Sequence, residues 1–344
     1  MAEPAHKTAK FVVGDIASRP GESWLVAAGV PRLGLGLAAL GRPGYINTGR
    51  KSDLANLEDR TPEAMKMHAW KVLDAAWAAG VRYFDCARSY GLSEQFLAGW
   101  LDARTIDCQT AVVGSKWGYR YTADWKIDTG GAPHEVKDHS LTHLEEQLSE
   151  TKKLLGGKIR LYQIHSATIE SRVLENTEVL DRLRQVRDVD GWRLGLSLSG
   201  TAQAATLEKA LDTQLFDSVQ ATWNLFEQSA GDALLKAKQA GLQVIVKEAM
   251  ANGRLLKCDA LIEAAAELAV APDALALAAV MAQPFEPMVL SGAVTTDQFQ
   301  SNLGAIELAD ALRGDKAAVL QRLMQDLRHD ADDYWKDRSA LTWN

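Results

Sequence analysis

Cysteine is scarce in this sequence. It occurs three times in 344 residues, as Cys86, Cys108 and Cys258, and no two of these form a Cys-x-x-Cys pair. An odd number of widely separated cysteines is neither the disulfide framework of a small secreted domain nor the ligand pattern of a structural zinc site. We therefore expect free thiols, no metal, and a reducing compartment, the cytoplasm.

The sequence also lacks an excess of basic charge and any long apolar run. Lys and Arg number 38 against 45 Asp and Glu, which gives a formal net charge of -7 and predicts no binding to nucleic acid. Charged residues and prolines interrupt the most apolar region, residues 259–285, so we expect no transmembrane helix. The N-terminal residues show no secretory signal, and no membrane association is expected.

The sequence does contain a regular alternation of short apolar runs and stretches with helical periodicity. The eight runs begin at Arg32, Val81, Thr110, Ile159, Arg193, Ser218, Gln243 and Met288. Eight such βα units, with no linker dividing them, predict a single (β/α)8 TIM barrel. We place one domain over residues 1–344 and its core at about 30–310, with an N-terminal cap over 1–30 and a polar C-terminal helix over 311–338. A doubly wound open sheet is the alternative, because strand order cannot be read from one sequence.

Four polar residues lie at or just after the ends of three consecutive predicted strands. Asp85 ends the second run, Tyr90 follows five residues later, and Lys116 and His165 end the third and fourth runs. The C-terminal strand ends of a barrel meet at one face, where active sites of this fold form. Each residue alone has an ordinary structural explanation. Together, at equivalent positions, they predict one catalytic site.

Residues 80–94, which include Asp85, Tyr90 and Glu94, resemble the signature of the aldo-keto reductases, and the resemblance extends over about residues 30–310. It implies a catalytic tetrad of Asp85, Tyr90, Lys116 and His165 and a cofactor, NADP(H) or NAD(H). The implied reaction interconverts a carbonyl and its alcohol by hydride transfer, with Tyr90 as general acid/base. Lys116, paired with Asp85, is expected to lower the pKa of Tyr90, and a neutral His165 to orient the carbonyl.

The resemblance also implies which side chains hold the cofactor. They are Ser197, Gln220, Lys247, Gly292, Thr295, Gln298 and Asn302. Lys247 stands where an aromatic ring usually stacks on the nicotinamide, and Gly292 and Gln298 where many members carry Lys and Arg for the 2′-phosphate. Ser301 replaces a Glu that often reads the adenine. Since residues 291–302 contain no Lys or Arg, we expect at most a modest preference for NADPH over NADH.

Aromatic residues on the predicted βα loops indicate the substrate. Tyr45 and Trp117 are expected to wall a pocket for a small aldehyde, ketone or sugar. His139 and His143 lie four residues apart, but no Glu follows His139, so the zinc motif of the metalloproteases is absent. Another hypothesis is a cofactor-binding regulatory subunit of a membrane channel, as some barrels of this family are. The oligomeric state is not indicated.

Overall fold

The computed structural model describes residues 23–26, 29–54 and 59–344. Ten strands lie in this part of the chain. They are β1 (Leu33–Gly36), β2 (Tyr83–Asp85), β3 (Val112–Trp117), β4 (Tyr119–Tyr121), β5 (Glu135–Lys137), β6 (Ile159–Ala167), β7 (Arg193–Leu198), β8 (Ser218–Thr222), β9 (Gln243–Lys247) and β10 (Met288–Ser291). Each of the eight predicted runs contains one of them.

Eight of these strands form a closed parallel barrel in the order β1-β2-β3-β6-β7-β8-β9-β10. The ring closes where β1 pairs with β10, with Leu33 opposite Val289. Every strand pairs with the barrel strand that precedes it in the chain, so the order never reverses. The (β/α)8 barrel prediction is confirmed, and the doubly wound alternative is wrong.

Helices follow the barrel strands on the outside. They are α1 (Arg50–Asp53), α2 (Pro62–Ala78), α3 (Ser93–Ala103), α4 (Leu141–Leu155), α5 (Thr177–Asp190), α6 (Gln203–Asp212), α7 (Gly231–Gln239), α8 (Asp259–Glu267), α9 (Pro272–Met281), α10 (Thr296–Leu303), α11 (Ala305–Arg313), α12 (Ala317–Asp326) and α13 (Ala331–Ser339). Their starts follow local rules: Thr61 caps α2, accepting from the Ala64 N–H, and Pro62 opens it.

The barrel has a packed interior. Its buried apolar side chains are Leu25, Tyr83, Val112, Leu161, Ile245, Met288 and Leu290. Leu25 belongs to the short described part of the predicted N-terminal cap, and it packs with the strands' inward-facing residues. Most of that cap, including residues 1–22, lies outside the described residues. A second, larger core fills the space between the barrel and the helices.

The chain after residue 310 departs from the single helix expected there. Gly314 ends α11, its N–H donating to the carbonyls of Asp310 and Ala311. Asp330 starts α13, its carboxylate accepting from the Asp332 N–H at 2.8 Å. The polar pattern over 311–338 therefore spans the end of α11 and two further helices, α12 and α13. The helical periodicity of this segment looks continuous in the sequence, but the helix end at Gly314 and the helix start at Asp330 divide it.

The most apolar region of the sequence forms α8 and α9. Helix α9 is buried from Ala274 to Met281 and packs against α11. Within the described ranges, no single helix has the length and apolar character needed to cross a membrane. Only α8 and α9 taken together meet that criterion, and they are bent by 90°.

Two segments not predicted as structure lie over the C-terminal face of the barrel. Strands β4 and β5 form an antiparallel hairpin in the connection between β3 and α4. The last residues run back to the loop after β1, where the backbones of Tyr45 and Asn344 exchange hydrogen bonds of 3.1 and 3.2 Å. Both segments bring side chains to this face of the barrel.

Candidate active site

Lys116 and Asp85 form a buried ion pair at the centre of the barrel. Neighbouring strands β3 and β2 present them, and their side chains are 0% and 3% exposed. The Lys116 ammonium donates to Asp85 Oδ1 and, at 3.1 Å, to the carbonyl of Cys86. A buried ion pair of this kind is stable only when its remaining hydrogen-bonding capacity is also satisfied.

The second oxygen of Asp85 meets that requirement. It accepts hydrogen bonds from the Tyr83 hydroxyl at 2.9 Å, from Gln220 Nε2 at 2.9 Å and from Gln163 Nε2 at 3.3 Å. Asp85 is therefore fixed by donors from four strands, β2, β3, β6 and β8. Sequence reasoning assigned Gln220 to the cofactor and did not single out Tyr83 or Gln163.

Tyr90 and His165 complete the group above this pair. The Tyr90 hydroxyl lies 3.3 Å from His165 Nε2, and His165 Nδ1 lies 3.3 Å from Ser89 Oγ. The Lys116 ammonium is 4.8 Å from the centre of the Tyr90 ring. The structure thus brings together all four residues that the sequence placed at strand ends.

The pKa values of Tyr90 and His165 move in opposite directions. Burial, together with the nearby Asp85 carboxylate, raises the pKa of Tyr90 well above its usual value of 10. Burial and the positive charge of Lys116 hold the pKa of His165 well below its usual 6.5. His165 is therefore neutral at pH 7, as expected. The expected lowering of the Tyr90 pKa by Lys116 is not found, because burial disfavours the phenolate and the Asp85 carboxylate repels its charge.

A cavity of about 580 Å³ opens at this face of the barrel, and Asp85, Tyr90 and His165 lie in its wall. Five of the predicted cofactor residues also line it: Gln220, Lys247, Gly292, Gln298 and Asn302. Ser197 and Thr295 are not among the lining residues. Ser197 Oγ accepts from the Ser166 N–H at 2.9 Å, and Thr295 Oγ1 caps α10 by accepting from the Gln298 N–H at 3.1 Å. These two residues support the wall of the site.

Lys247 is a second lysine in the site, with weaker partners than Lys116. Its ammonium donates to Thr222 Oγ1 at 2.8 Å and lies 4.0 Å from Glu248 Oε1. Burial lowers its pKa to about 8, although the Glu248 carboxylate opposes this shift. Glu248 in turn accepts three hydrogen bonds of 2.5–3.0 Å from the Arg338 guanidinium on α13.

The two residues predicted for the substrate pocket have different positions. Tyr45 lines the cavity. Trp117 does not, because side chains alternate along a strand and Lys116 already points into the barrel. The Trp117 ring is fully buried between β3 and the helices, edge-on to His139 at 5.6 Å.

Sequence reasoning missed Arg42 and Trp343 as pocket residues. The Arg42 guanidinium lies 5.2 Å from the Tyr45 ring, 5.1 Å from the Tyr90 ring and 4.6 Å from the Trp343 ring. Trp343 also stacks on His134 at 4.1 Å. The aromatic character of the tail could have suggested a pocket role, but only the fold shows that the tail reaches the cavity.

The histidine pair weighed as a metal site is engaged in other contacts. His139 Nε2 bonds the His165 carbonyl at 2.9 Å, and His143 Nδ1 lies 3.2 Å from the Arg120 guanidinium. In the part of the chain that the structure describes, no group of three or more His, Cys, Asp or Glu residues is arranged to hold a metal ion.

Comparisons with known proteins agree with this geometry. The model of the Aldo/keto reductase family matches residues 33–321. A curated relative, D-threo-aldose 1-dehydrogenase of Pseudomonas sp., is 28% identical over 205 residues, which are 55% of this chain and 61% of that protein, less than two thirds of its length.

Solved structures share the fold. A putative aldo-keto reductase of Pseudomonas aeruginosa superposes with a TM-score of 0.59 at 22% identity, over 81% of this chain and 91% of that one. An aldo-keto reductase of Bacillus halodurans, in its holo form, superposes with a TM-score of 0.62 at 19% identity, over 86% of this chain and 92% of that one. The family model matches most of this chain, and the chain has the same barrel fold as these structures. The chain therefore belongs to the aldo/keto reductase family.

Proposed function

We propose that the protein is an NAD(P)H-dependent oxidoreductase that interconverts a small aldehyde, ketone or sugar and the corresponding alcohol. The observation that carries this proposal is the 3.3 Å approach of the Tyr90 hydroxyl to His165 Nε2 in the cavity wall, directly above the buried Lys116–Asp85 pair. A proton donor, a neutral imidazole and a buried cation at one point can polarise and protonate the carbonyl oxygen, and the cofactor would supply the hydride.

Two features of the cavity wall suit a bound dinucleotide. A Cβ atom built at Gly292 would meet nothing within 4 Å, so the backbone there is open to a ligand. Asn252 lines the cavity and is only 8% exposed, yet its Oδ1 has no partner among the described residues. A buried polar atom of this kind is usually satisfied by a polar ligand or by water.

Residues at two parts of the cavity would hold the dinucleotide. Gln220 and Lys247 lie beside the tetrad, and Gln298 and Asn302 lie on α10. When bound, the cofactor supplies or accepts the hydride.

The protein's own residues supply the proton. Because the pKa of Tyr90 is raised, its phenol is protonated at neutral pH and can donate to the carbonyl oxygen. If His165 Nδ1 accepts from Ser89 Oγ, Nε2 carries the ring proton and can donate to the same oxygen. The Lys116 ammonium, 4.8 Å from the centre of the Tyr90 ring, would offset part of the cost of the buried phenolate that forms, and Asp85 keeps the ammonium in place.

Several contacts favour a sugar among the possible substrates. Arg42, Tyr45 and Trp343 form a partly aromatic wall close to Tyr90, in which the Tyr45 and Trp343 rings are perpendicular and 6.3 Å apart. An exposed aromatic face in such a wall suits the apolar face of a sugar ring. Glu135 and Arg338 also line the cavity and could bond hydroxyl groups. The name of the Pseudomonas relative, an aldose dehydrogenase, supports the same class of substrate.

The three cysteines are free, and we infer a cytoplasmic location.

Turnover by the purified protein tests the proposal. NADH and NADPH oxidation should be followed with a panel of aldehydes, ketones and aldoses, and NAD⁺ and NADP⁺ reduction with the alcohols and aldoses. We expect turnover with at least one member of the panel. Tight dinucleotide binding without turnover of any member would contradict the proposal and favour a regulatory subunit that binds the cofactor.

A further inference from the structure

Lys247 carries a charge that few of its neighbours contact directly. It ends β9, its side chain is 15% exposed, and it lines the cavity. An ammonium group has three hydrogens to donate, and of the described residues only Thr222 Oγ1 accepts one of them. Glu248 Oε1, at 4.0 Å, is beyond hydrogen-bond distance. The described residues therefore leave two of the Lys247 N–H groups without an acceptor.

The other charged groups that face Lys247 form two compensated ion pairs. Arg338 from α13 donates three hydrogen bonds of 2.5–3.0 Å to the Glu248 carboxylate. Lys116 from β3 pairs with Asp85 from β2. Each pair has no net charge, so Lys247 sets the net charge of this group. Burial lowers the pKa of Lys247 to about 8, so its amine is mostly protonated at pH 7 and mostly neutral above about pH 9.

Lys247 lies across the cavity from the proton donors. In the closed barrel, two strands separate β9 from β2, which leads to Tyr90, and two strands separate β9 from β6, which carries His165. A carbonyl oxygen held by Tyr90 and His165 has to receive its hydride from a ring in the remaining space of the cavity. The nicotinamide would therefore lie between the substrate and the wall that contains Gln220 and Lys247.

We infer that Lys247 weakens binding of the oxidised dinucleotide and so sets the balance between the two redox forms of the cofactor. The nicotinamide ring carries a positive charge when oxidised and none when reduced, so a protonated Lys247 repels only the oxidised ring. This inference rests on the proposed function, since it requires a nicotinamide in the cavity. It assigns to Lys247 a preference for the form of the cofactor that reduces a carbonyl.

The inference predicts a pH dependence of a definite sign. The repulsion is present while Lys247 is protonated and is lost as the pH rises through about 8. By linkage, bound oxidised dinucleotide should lower the pKa of Lys247 further. Tyr90 and His165, the titratable groups across the cavity, stay neutral over this range, because the pKa of Tyr90 lies well above 10 and that of His165 well below 6.5.

The test measures the dissociation constants of the oxidised and reduced forms of one dinucleotide. Either NAD⁺ and NADH or NADP⁺ and NADPH are used, whichever pair binds more tightly, with the full-length protein and titration calorimetry or tryptophan fluorescence. The two forms differ only in the nicotinamide ring, so the ratio of their constants cancels contacts to the rest of the molecule. We expect the oxidised-to-reduced ratio of the wild type to be about tenfold larger at about pH 6.5 than at about pH 9.5.

Two substitutions separate the charge of Lys247 from its packing. Lys247→Arg keeps a positive charge at both pH values, so the ratio should stay high at both. Lys247→Met removes the charge, so the ratio should be low at both. The control is Lys238→Met, because Lys238 pairs with Glu286 at 2.9 Å and does not line the cavity. This variant should keep the ratio and the pH dependence of the wild type.

The possible failures are distinguishable. A wild-type ratio that does not change with pH overturns the inference and leaves the proposed function standing, and so does a wild-type ratio in Lys247→Met at about pH 6.5. A ratio that still falls at high pH in Lys247→Arg also overturns it, since another group would then be titrating. Binding of neither form of the dinucleotide overturns both proposals. If Lys247→Met does not fold, the wild type and Lys247→Arg decide.

Discussion

Tyr83 and Asp85 lie two residues apart on β2, and inside the barrel the Tyr83 hydroxyl donates a hydrogen bond of 2.9 Å to Asp85 Oδ2. Two glycines on the neighbouring strands provide the space for its ring. A Cβ at Gly34 would lie 2.8 Å from Tyr83 Cδ1, and one at Gly114 would lie 2.7 Å from the Tyr83 hydroxyl. Tyr83 therefore links the packed interior of the barrel to the charged pair of the candidate site.

This close approach predicts how substitutions at the two positions combine. Gly114→Ala should destabilise the protein by about 1–3 kcal/mol, because the new methyl group overlaps the Tyr83 hydroxyl. Tyr83→Phe removes that hydroxyl and should make Gly114→Ala markedly less costly. Urea denaturation of both single variants and the double variant measures the coupling. Additive losses would show that the methyl group is accommodated elsewhere.

Tyr90→Phe tests the proton donor. The substitution removes the hydroxyl and keeps the ring, so carbonyl reduction should fall by about 100-fold or more while the dissociation constant for NADH stays close to that of the wild type. Tyr121→Phe on the hairpin, outside the cavity lining, is the control and should keep its activity. Near-normal turnover in Tyr90→Phe would remove Tyr90 from the mechanism.

The Lys116–Asp85 pair predicts a compensating effect on stability. Lys116→Met leaves an unpaired buried carboxylate and should cost about 3–5 kcal/mol of unfolding free energy. The double variant with Asp85→Asn should recover part of this loss and regain no activity. The control is Arg184→Met, since Arg184 pairs with Asp181 on the exposed surface of α5 and should cost less than about 1 kcal/mol.

The opposite pKa shifts of Tyr90 and His165 predict the pH dependence. A phenol whose pKa is raised above 10 stays protonated below that value, so the reduction rate should not depend on its ionisation between about pH 7 and pH 9. Alcohol oxidation needs the phenolate and should accelerate with pH over the same range. His165 should produce no step near pH 6.5, because its pKa lies well below that value. Steady-state rates in both directions test this, and a fall in oxidation with rising pH would contradict it.

The preference for NADPH over NADH should be weaker than in a protein that binds the 2′-phosphate with Lys or Arg. We expect kcat/KM with NADPH to exceed that with NADH by less than about 100-fold, because neutral hydrogen bonds contribute only about 0.5–1.5 kcal/mol each. Gln298→Arg should raise the ratio by adding charge at the cavity. Gln300→Arg, at an exposed position of α10, should leave it unchanged. A wild-type preference above about 1,000-fold would mean that the charge comes from another residue.

The sequence alone predicted eight strand–helix units and the four tetrad positions, and it favoured a barrel; the structure then gave the strand order and excluded the open sheet. Eight short apolar runs, each followed by a stretch with helical periodicity, predict the strands locally, and parallel strands that form a barrel bring their C-terminal ends to one face. Asp85, Lys116 and His165 meet there because each lies at the end of its own strand. That information is contained in short segments and in their order along the chain.

Only the tertiary structure decided what surrounds the tetrad. Lys116 and Trp117 are adjacent in sequence, and closure of the barrel puts one inside it and the other against the helices. Trp343 reaches the cavity through its contact with Arg42, which lies about 300 residues earlier in the chain, and the hairpin residue Glu135 reaches it through its ion pair with the same arginine. Such contacts depend on how whole helices and the C-terminal tail pack against the closed barrel. Local propensity and hydrophobic period do not specify that packing, so these residues could be found only in the folded protein.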